Sequence, residues 1–155
     1  MVEFTHIKNE RAQMVDISAK DDVIREAVAI GKIFLKPETL AAIRDGTVIK
    51  GNVLATARVA ATLSVKNTPT LIPMCHSIPI SAVTVDFSEG DGFIEATVRV
   101  KSTGKTGVEM EALVGVSIAL LTVWDMVKSA EKDADGQYPV TRIEGIRVIE
   151  KRKGT

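Results

Sequence analysis

Two stretches of the chain alternate between apolar and polar residues, which is the period of a strand with one buried face. They cover residues 82–87 and 93–100, and the linking segment SEGDG carries turn-forming glycines. This pattern predicts a β-hairpin. Another strand is predicted over TRIEGIRVIEKR, with a bulge at Gly145 because a glycine inside a strand often marks one. A short strand is also predicted over residues 13–18.

Other stretches repeat their apolar residues every three or four positions, which is the period of an α-helix. The first begins after Ser18, a residue type that caps helix N-termini, and ends before Pro37, which disfavours helix in the residue before it. The predicted helices cover residues 21–35, 37–46, 52–67 and 110–130. The third of them is rich in small residues, which indicates close packing against another element.

The order of these elements predicts the fold class. Strand, helices, hairpin, helix and strand succeed one another, as in an α+β domain whose helices pack on one face of a mostly antiparallel sheet. At 155 residues the chain is expected to form a single domain with a substantial core. Residues 1–12 are expected to be a flexible N-terminus, and residues 151–155 a basic C-terminal tail.

Composition and charge argue against several classes of function. Acidic and basic residues balance at 20 each, so the chain lacks the positive charge with which a general nucleic-acid binder displaces counterions. The N-terminus has no signal pattern, and no apolar run reaches the ~18 residues of a membrane span. A single cysteine cannot form an internal disulfide, which favours a cytoplasmic protein. Neither a nucleic-acid nor a membrane partner is expected.

The segment LIPMCHSIPI, residues 71–80, places Cys75 and His76 between Pro73 and Pro79. A zinc site would need three or four ligands, and the sequence offers too few at suitable spacing, so no metal site is predicted. A cysteine nucleophile would need a neighbouring base, and an inert, buried Cys75 is the better interpretation. His76 is either a hydrogen-bonded turn residue or an acid–base group, and the sequence leaves both open.

Lysines occur at positions suited to phosphate binding or proton transfer. Lys50 and Gly51 precede the third predicted helix, where unpaired backbone N–H groups favour an anion. Asp125 and Lys128 lie three residues apart and share a helical face. They form either an ordinary surface ion pair or an acid–base lysine with its carboxylate partner, whose pKa burial or a second cation would have to lower. Lys66 either faces the C-terminus of its helix or contacts a phosphate.

Glu109 and Glu111 lie at the start of the last predicted helix, where acidic residues are common for structural reasons alone. Glu111 and Asp125 are 14 residues apart, which is about 21 Å along an unbroken helix. Both residues can therefore serve one reaction only if the site is long or if it is assembled from two chains.

Five segments, in this order, resemble the signature segments of the MoaC family, which acts early in molybdenum-cofactor biosynthesis. They are MVDISAK, KGNVLATARVA, LIPMCHSIPI, KTGVEMEAL and LTVWDMVKS, and the resemblance spans residues 13–130. It implies a ferredoxin-like α+β subunit in a hexamer, a trimer of dimers, with active sites at a subunit interface. It also implies a lyase that converts the cyclised dihydro-GTP made by a radical enzyme into cyclic pyranopterin monophosphate and pyrophosphate.

The resemblance also implies roles for individual residues. Lys50 and Lys128 match the catalytic lysines, and Asp125 matches their acidic partner. The positions expected to bind the substrate are Lys20, Arg25, Lys66, Cys75, His76, Glu109, Met110 and Glu111. No resident cofactor is implied, and Mg²⁺ is left open as a companion of the substrate phosphates.

The sequence departs from the family's pattern in a few places. Asn52, Ser77 and Trp124 stand where many members have aspartate, proline and tyrosine. The C-terminus also lacks the glycine- and lysine-rich tail of many bacterial members, which is an expected phosphate contact. The candidates to replace it are Arg142, Arg147, Lys151 and Arg152.

Two rival functions use the same residues. A non-catalytic, ferredoxin-like module that binds a nucleotide as an oligomer would tolerate Lys50→Arg, whereas a proton-transferring lysine would not. A divalent-metal hydrolase built on His76, Glu109 and Glu111 would lose activity with a chelator.

Overall fold

A four-stranded antiparallel sheet forms the centre of the fold in the computed structural model, which describes residues 2–4 and 7–154. In chain order the elements are β1 (Ile7–Lys8), β2 (Arg11–Ala12), β3 (Val23–Phe34), α1 (Pro37–Asp45), α2 (Val53–Lys66), α3 (Thr68–Leu71), β4 (Ile80–Gly90), β5 (Phe93–Gly104), α4 (Glu109–Glu131) and β6 (Arg142–Lys153). The sheet order is β4–β5–β3–β6, and β1 and β2 form a separate short hairpin.

The predicted α+β, ferredoxin-like fold is confirmed. α2 and α4 pack against each other, α4 contacts β3 and β5, and α2 contacts β4. The hairpin, the last strand and the helices predicted from residue 37 onward are all present. The bulge at Gly145 is confirmed as well, because the β3–β6 register shifts at this point and Gly145 has a φ of 67°, which favours glycine.

The helix predicted over residues 21–35 is wrong, because this segment contains β3, the strand between β5 and β6. Ala27, Val28, Ala29 and Ile30 are all buried, so residues on both faces of the strand are covered. An apolar run without alternation is typical of such a strand, and over a short window it also fits the helical period. Backbone hydrogen bonds to two neighbouring strands favour the extended conformation.

The strand predicted over residues 13–18 is also wrong, as is the N-cap role of Ser18. Residues 13–17 have no regular secondary structure. The Asp16 side chain instead accepts hydrogen bonds from the backbone N–H and the hydroxyl of Ser18, at 2.9 and 2.6 Å. A local turn of this kind competes with strand pairing for the same backbone groups.

The N-terminal segment contains more regular structure than the sequence indicated. Residues 7–12 include β1 and β2, within the segment expected to be flexible. At the other end, residues 151 and 152 belong both to the predicted last strand and to the expected basic tail, and they are part of β6, which pairs with β3 through residue 153. Outside the described residues lie Met1, Thr5, His6 and Thr155.

α4 is the central helix of the core. Its 23 residues include an 18-residue window with a mean hydropathy of 1.7, which would suit a membrane span, but half of this window is buried inside the domain. The buried side contains Ala112, Val116, Ala119, Leu120 and Val123. The apolar character of α4 is therefore explained by its contacts with the sheet and with α2.

Gly31 lies in β3, where α4 comes closest to the sheet. A Cβ atom at this position would lie 2.8 Å from Val116 Cγ1, 2.9 Å from Ile146 Cγ1 and 3.0 Å from Leu120 Cδ1. Gly104, at the end of β5, has more room, since the nearest atom to an added Cβ is Ser102 Oγ at 3.6 Å. The packing of α4 on β3 thus requires a residue without a side chain at position 31.

We expect Gly31→Ala to lower the free energy of unfolding by about 1–3 kcal/mol, because the added methyl group overpacks this contact. Gly104→Ala is the matched control and should remain within about 1 kcal/mol of the original chain. Urea unfolding followed by circular dichroism compares the three proteins. Equal stabilities of the two variants would contradict the close contact between α4 and β3.

Candidate active site

A cavity of about 520 Å³ lies beside the N-terminal end of α4. Its size is typical of a small-molecule site. Four of the residues predicted to bind substrate line it, namely Cys75, His76, Glu109 and Met110, together with Ile72, Met74, Thr106 and Gly107. The proline-bounded loop and the connection from β5 to α4 therefore form opposite walls of one pocket.

His76 is held by a contact that the sequence did not predict. Its Nε2 atom lies 2.5 Å from the backbone carbonyl oxygen of Val15. A carbonyl oxygen only accepts hydrogen bonds, so Nε2 carries a proton and Nδ1 is the basic nitrogen when the ring is neutral. The loop itself is anchored by the buried hydroxyl of Ser102, which donates to the Pro79 carbonyl oxygen at 2.5 Å. The two readings of His76 are therefore compatible: the ring is hydrogen-bonded, yet one nitrogen retains basic character.

Cys75 and Glu111 form a pair at the inner side of the pocket. The thiol donates to Glu111 Oε2 at 3.8 Å, and Oε1 of this buried carboxyl group has no hydrogen-bond partner among the described residues. Burial raises the pKa of Glu111. Burial, followed by the negative charge of Glu111, raises the pKa of the Cys75 thiol to about 11. This pKa agrees with an inert cysteine, since the thiol stays protonated at neutral pH. The prediction of a buried Cys75 is wrong, because the side chain is half-buried and lines the pocket.

Glu109 is only two residues away, but its electrostatic environment is different. Burial alone would raise its pKa, yet the hydrogen bond and charge of Lys151, with a further contribution from Arg25, lower it overall. Lys151 Nζ lies 2.5 Å from Glu109 Oε1. Among the four basic residues proposed to replace the family's tail, Lys151 is thus the one paired with a pocket residue. Gly107 leaves room for this arrangement, because a Cβ at that position would displace the Glu109 carboxylate.

The remaining predicted binding residues lie at different distances from the pocket. Arg25 is buried, and its Nε donates to the Gly104 carbonyl oxygen at 3.2 Å. Lys20 is exposed, and its carbonyl oxygen accepts from Lys105 Nζ at 2.9 Å, a contact that the sequence did not indicate. Lys66 lines another cleft, of about 450 Å³, between α2 and β4. The structure does not bring Lys66 into the pocket that contains His76.

The predicted catalytic residues meet at the other end of α4. Lys128 Nζ lies 2.9 Å from Asp125 Oδ1, and Lys50 Nζ lies 3.2 Å from Asp125 Oδ2 and 2.9 Å from the Asp125 carbonyl oxygen. We call these three residues the lysine–aspartate cluster. Their side chains are 45–59% exposed, so the site can receive a ligand from solvent.

The charges within the lysine–aspartate cluster stabilise one another. Hydrogen bonds from Lys128 and from Lys50 lower the pKa of Asp125. The bond to Asp125 raises the pKa of Lys128, opposite to the direction that a general-base lysine would require. Lys128 is therefore an ammonium ion at neutral pH, suited to binding a phosphate or to donating a proton.

The structure does not bring the two groups of residues together within one chain. α4 is continuous from Glu109 to Glu131, so Glu111 and Asp125 remain about 21 Å apart along its axis. The pocket and the lysine–aspartate cluster are thus separate on a single subunit.

The arrangement of the acidic residues does not favour the metal-hydrolase alternative. Within residues 2–4 and 7–154, no group of three or more histidine, cysteine, aspartate or glutamate residues is placed to bind one metal ion. Glu109 is paired with Lys151, and Glu111 with Cys75. The two carboxylates therefore face different partners instead of converging with His76.

Fold and pocket together define a ferredoxin-like α+β domain with a cavity of the size that small-molecule sites have. The sequence model of the MoaC family matches residues 14–154, and the chain belongs to this family. Similar proteins include one from Methanoregula boonei, 79% identical over 99% of both chains, and one from Methanospirillum hungatei, 68% identical over 97% of this chain and 96% of the relative. A protein from Thermococcus onnurineus is 56% identical over 99% of this chain and 98% of its own length. All three relatives are named probable cyclic pyranopterin monophosphate synthase.

Cys75 should react slowly with iodoacetamide near neutral pH, and its rate should rise with a midpoint near pH 11, because burial and Glu111 disfavour the thiolate. Glu111→Gln removes the neighbouring charge and is expected to shift the midpoint to lower pH. Glu109→Gln is the matched control with a smaller expected shift, since Glu109 contributes less to the pKa of the thiol. Mass spectrometry of the alkylated protein gives the rates. A midpoint at the ordinary thiol value of about 8.5 would contradict the description of this pair.

Proposed function

We propose that the chain is a cyclic pyranopterin monophosphate synthase, a lyase that converts cyclised dihydro-GTP into cyclic pyranopterin monophosphate and pyrophosphate. Membership of the MoaC family and the names of close relatives support this function. The structural observation that carries it is the convergence of Lys50 and Lys128 on Asp125, from segments 75 residues apart in the chain. The two lysines of such a cluster can stabilise the negative charge of a phosphate ester, and one of them can protonate the leaving group.

The substrate would be held by positive charge at its triphosphate and by the pocket at its purine-derived ring. Formation of the cyclic phosphate requires a ribose hydroxyl oxygen to lose its proton to a base and to bond to the α-phosphorus. Pyrophosphate leaves as the bond between the α-phosphorus and the oxygen bridging to the β-phosphorus breaks. Lys50 and Lys128 stabilise the charge that develops on the leaving oxygens, and Lys128, as an ammonium ion, is suited to donate a proton. His76 accepts a proton through Nδ1 or anchors the pyrophosphate region.

The active site is proposed to form between subunits of a hexamer arranged as a trimer of dimers. The separation of about 21 Å along α4 supports a shared site, because a second chain can bring its pocket next to the lysine–aspartate cluster of the first. Exposed apolar residues on α2, Val59 and Leu63 among them, provide surface for subunit contacts.

The reaction is proposed to need no resident cofactor, with Mg²⁺ entering only as a companion of the substrate phosphates. The pathway assignment and the single cysteine support a cytoplasmic location.

Lys128→Ala and Lys50→Ala should each lower kcat by a factor of about 10²–10⁴, because each removes a cation or proton donor needed in the transition state. Lys50→Arg should also be impaired, since a planar guanidinium does not replace an ammonium group. Lys132→Ala, four residues beyond Lys128 and exposed, is the matched control and should keep full activity. Pyrophosphate release and pyranopterin formation from the cyclised substrate are measured together, with and without a chelator.

Binding of the cyclised substrate without either product would favour the non-catalytic nucleotide-binding module. Product formation unaffected by both alanine substitutions would contradict the catalytic role of the lysine–aspartate cluster. Loss of activity with the chelator, restored by Mg²⁺ alone, agrees with Mg²⁺ as a companion of the substrate phosphates. A metal ion that stays bound to the substrate-free protein and is required for activity would contradict a reaction without a resident cofactor.

Mixed assemblies test the shared site. His76→Ala and Lys128→Ala are expected to be inactive separately, but co-expressed with different tags they should regain about a quarter of full activity, because half of the dimers are mixed and each mixed dimer has one intact site of two. Doubly tagged protein is purified and assayed beside each single variant. Activity no greater than that of the single variants would contradict an active site built from two chains.

A further inference from the structure

Glu131, the last residue of α4, is a buried carboxylate with no part in the proposed chemistry. Its side chain is fully buried and lies three residues beyond Lys128. Oε1 accepts a hydrogen bond from Thr141 Oγ1 at 2.8 Å, and Oε2 accepts one from Thr39 Oγ1. The backbone N–H of Lys36 lies 3.2 Å from each oxygen. Every group in contact with the carboxylate is thus a donor.

These donors offset the unfavourable burial of a charged group. The carboxylate also lies at the N-terminus of α1, where the helix dipole favours negative charge. Lys36 is the N-cap residue of α1 and makes no side-chain capping bond of its own. Glu131 therefore caps α1 through its N-cap residue, which lies 95 residues earlier in the chain.

The segments joined by Glu131 are the ones that carry the lysine–aspartate cluster. Two members of the cluster lie in the last turns of α4, the helix that Glu131 completes. The third, Lys50, follows α1 after a short connection that begins at Gly46. Lys36 Nζ adds a second link between these segments, because it donates to the Ala130 carbonyl oxygen at 3.3 Å.

The ion pairs of the cluster are too exposed to define its geometry by themselves. Pairs between side chains that are about half exposed contribute little and are weakened by salt. The relative position of α1 and α4 must therefore be fixed by buried contacts. Glu131 provides a fully buried, fully hydrogen-bonded contact between these helices, one turn from Lys128.

We propose that Glu131 is a positioning residue, which holds the end of α4 against α1 so that Lys50 and Lys128 meet Asp125 in the geometry that the reaction needs. The proposal concerns the same cluster as the proposed function and rests on that function. Glu131 touches no reacting atom and acts through the lysine–aspartate cluster.

Glu131→Gln tests the proposal, because glutamine keeps the size of the side chain but presents an NH₂ group to donors. We expect kcat to fall about 10- to 100-fold, because even a small misplacement of catalytic groups slows a reaction by this much. KM should change much less. The pKa of Lys128, raised by Asp125, should also move down toward its ordinary value. The first effect is measured by steady-state kinetics, and the second by NMR titration of ¹³C-labelled lysine side chains in the free protein.

Val28→Ala is the matched control. Val28 is buried in β3 but does not belong to the core cluster that contains the buried residues of α4. It should lower the melting temperature without changing kcat or the lysine titration. Thr39→Val and Thr141→Val each remove one donor to Glu131 and give milder variants, which keep the test valid if Glu131→Gln fails to fold.

The proposal is overturned if Glu131→Gln, or both threonine variants, lower the melting temperature as Val28→Ala does and leave kcat and the Lys128 titration unchanged. Failure of the proposed function gives a different result. In that case the original chain yields no product, while the lysine titration still reports whether Glu131 controls the cluster.

Discussion

Small residues at two points of the core let α4 lie directly on the sheet, and the separation of the functional groups at its two ends follows from this contact. Gly31 leaves no space for a Cβ beneath the helix, and a Cβ at Gly115 would lie 2.9 Å from both Val65 Cγ2 and Val98 Cγ1. Because its middle is fixed in this way, α4 acts as a straight spacer between its two ends. Groups at opposite ends cannot approach each other without breaking the core.

The two ends of α4 impose opposite electrostatic conditions on the carboxylates they carry. At the N-terminal end, burial raises the pKa of Glu111, whereas Lys151 helps to lower that of Glu109 only two residues away. At the C-terminal end, two ammonium groups lower the pKa of Asp125 in an exposed setting. One helix thus supplies a buried carboxyl group beside Cys75 of the pocket and, at its other end, an exposed carboxylate paired with two lysines.

The sequence predicted the elements whose pattern is local and missed those defined by distant partners. Turn residues and alternation revealed the hairpin, and the long apolar period revealed α4. β3 was mistaken for a helix because a strand covered on both faces loses its alternation. In the site, the spacing of Asp125 and Lys128 was sufficient to pair them. The contacts of Glu131 with α1, of Lys151 with Glu109 and of His76 with Val15 join remote segments and left no signal that a local pattern could reveal.

The two register shifts between β3 and β6 determine which face of the sheet each basic residue of β6 occupies. Lys151 pairs with Ala27 and Val148 with Ala29, so both residues lie on the face covered by the helices, although three positions separate them. Strict alternation would place residues three apart on opposite faces. The extra residue between the two pairs therefore exchanges the faces on which the odd- and even-numbered residues of β6 lie. This exchange places Lys151 on the same face as Glu109. The bulge in β6, as well as the composition of this strand, is thus part of what shapes the pocket. If the same sequence paired with β3 without the bulge, Val148 opposite Ala29 would leave Lys151 opposite Glu26, on the other face of the sheet.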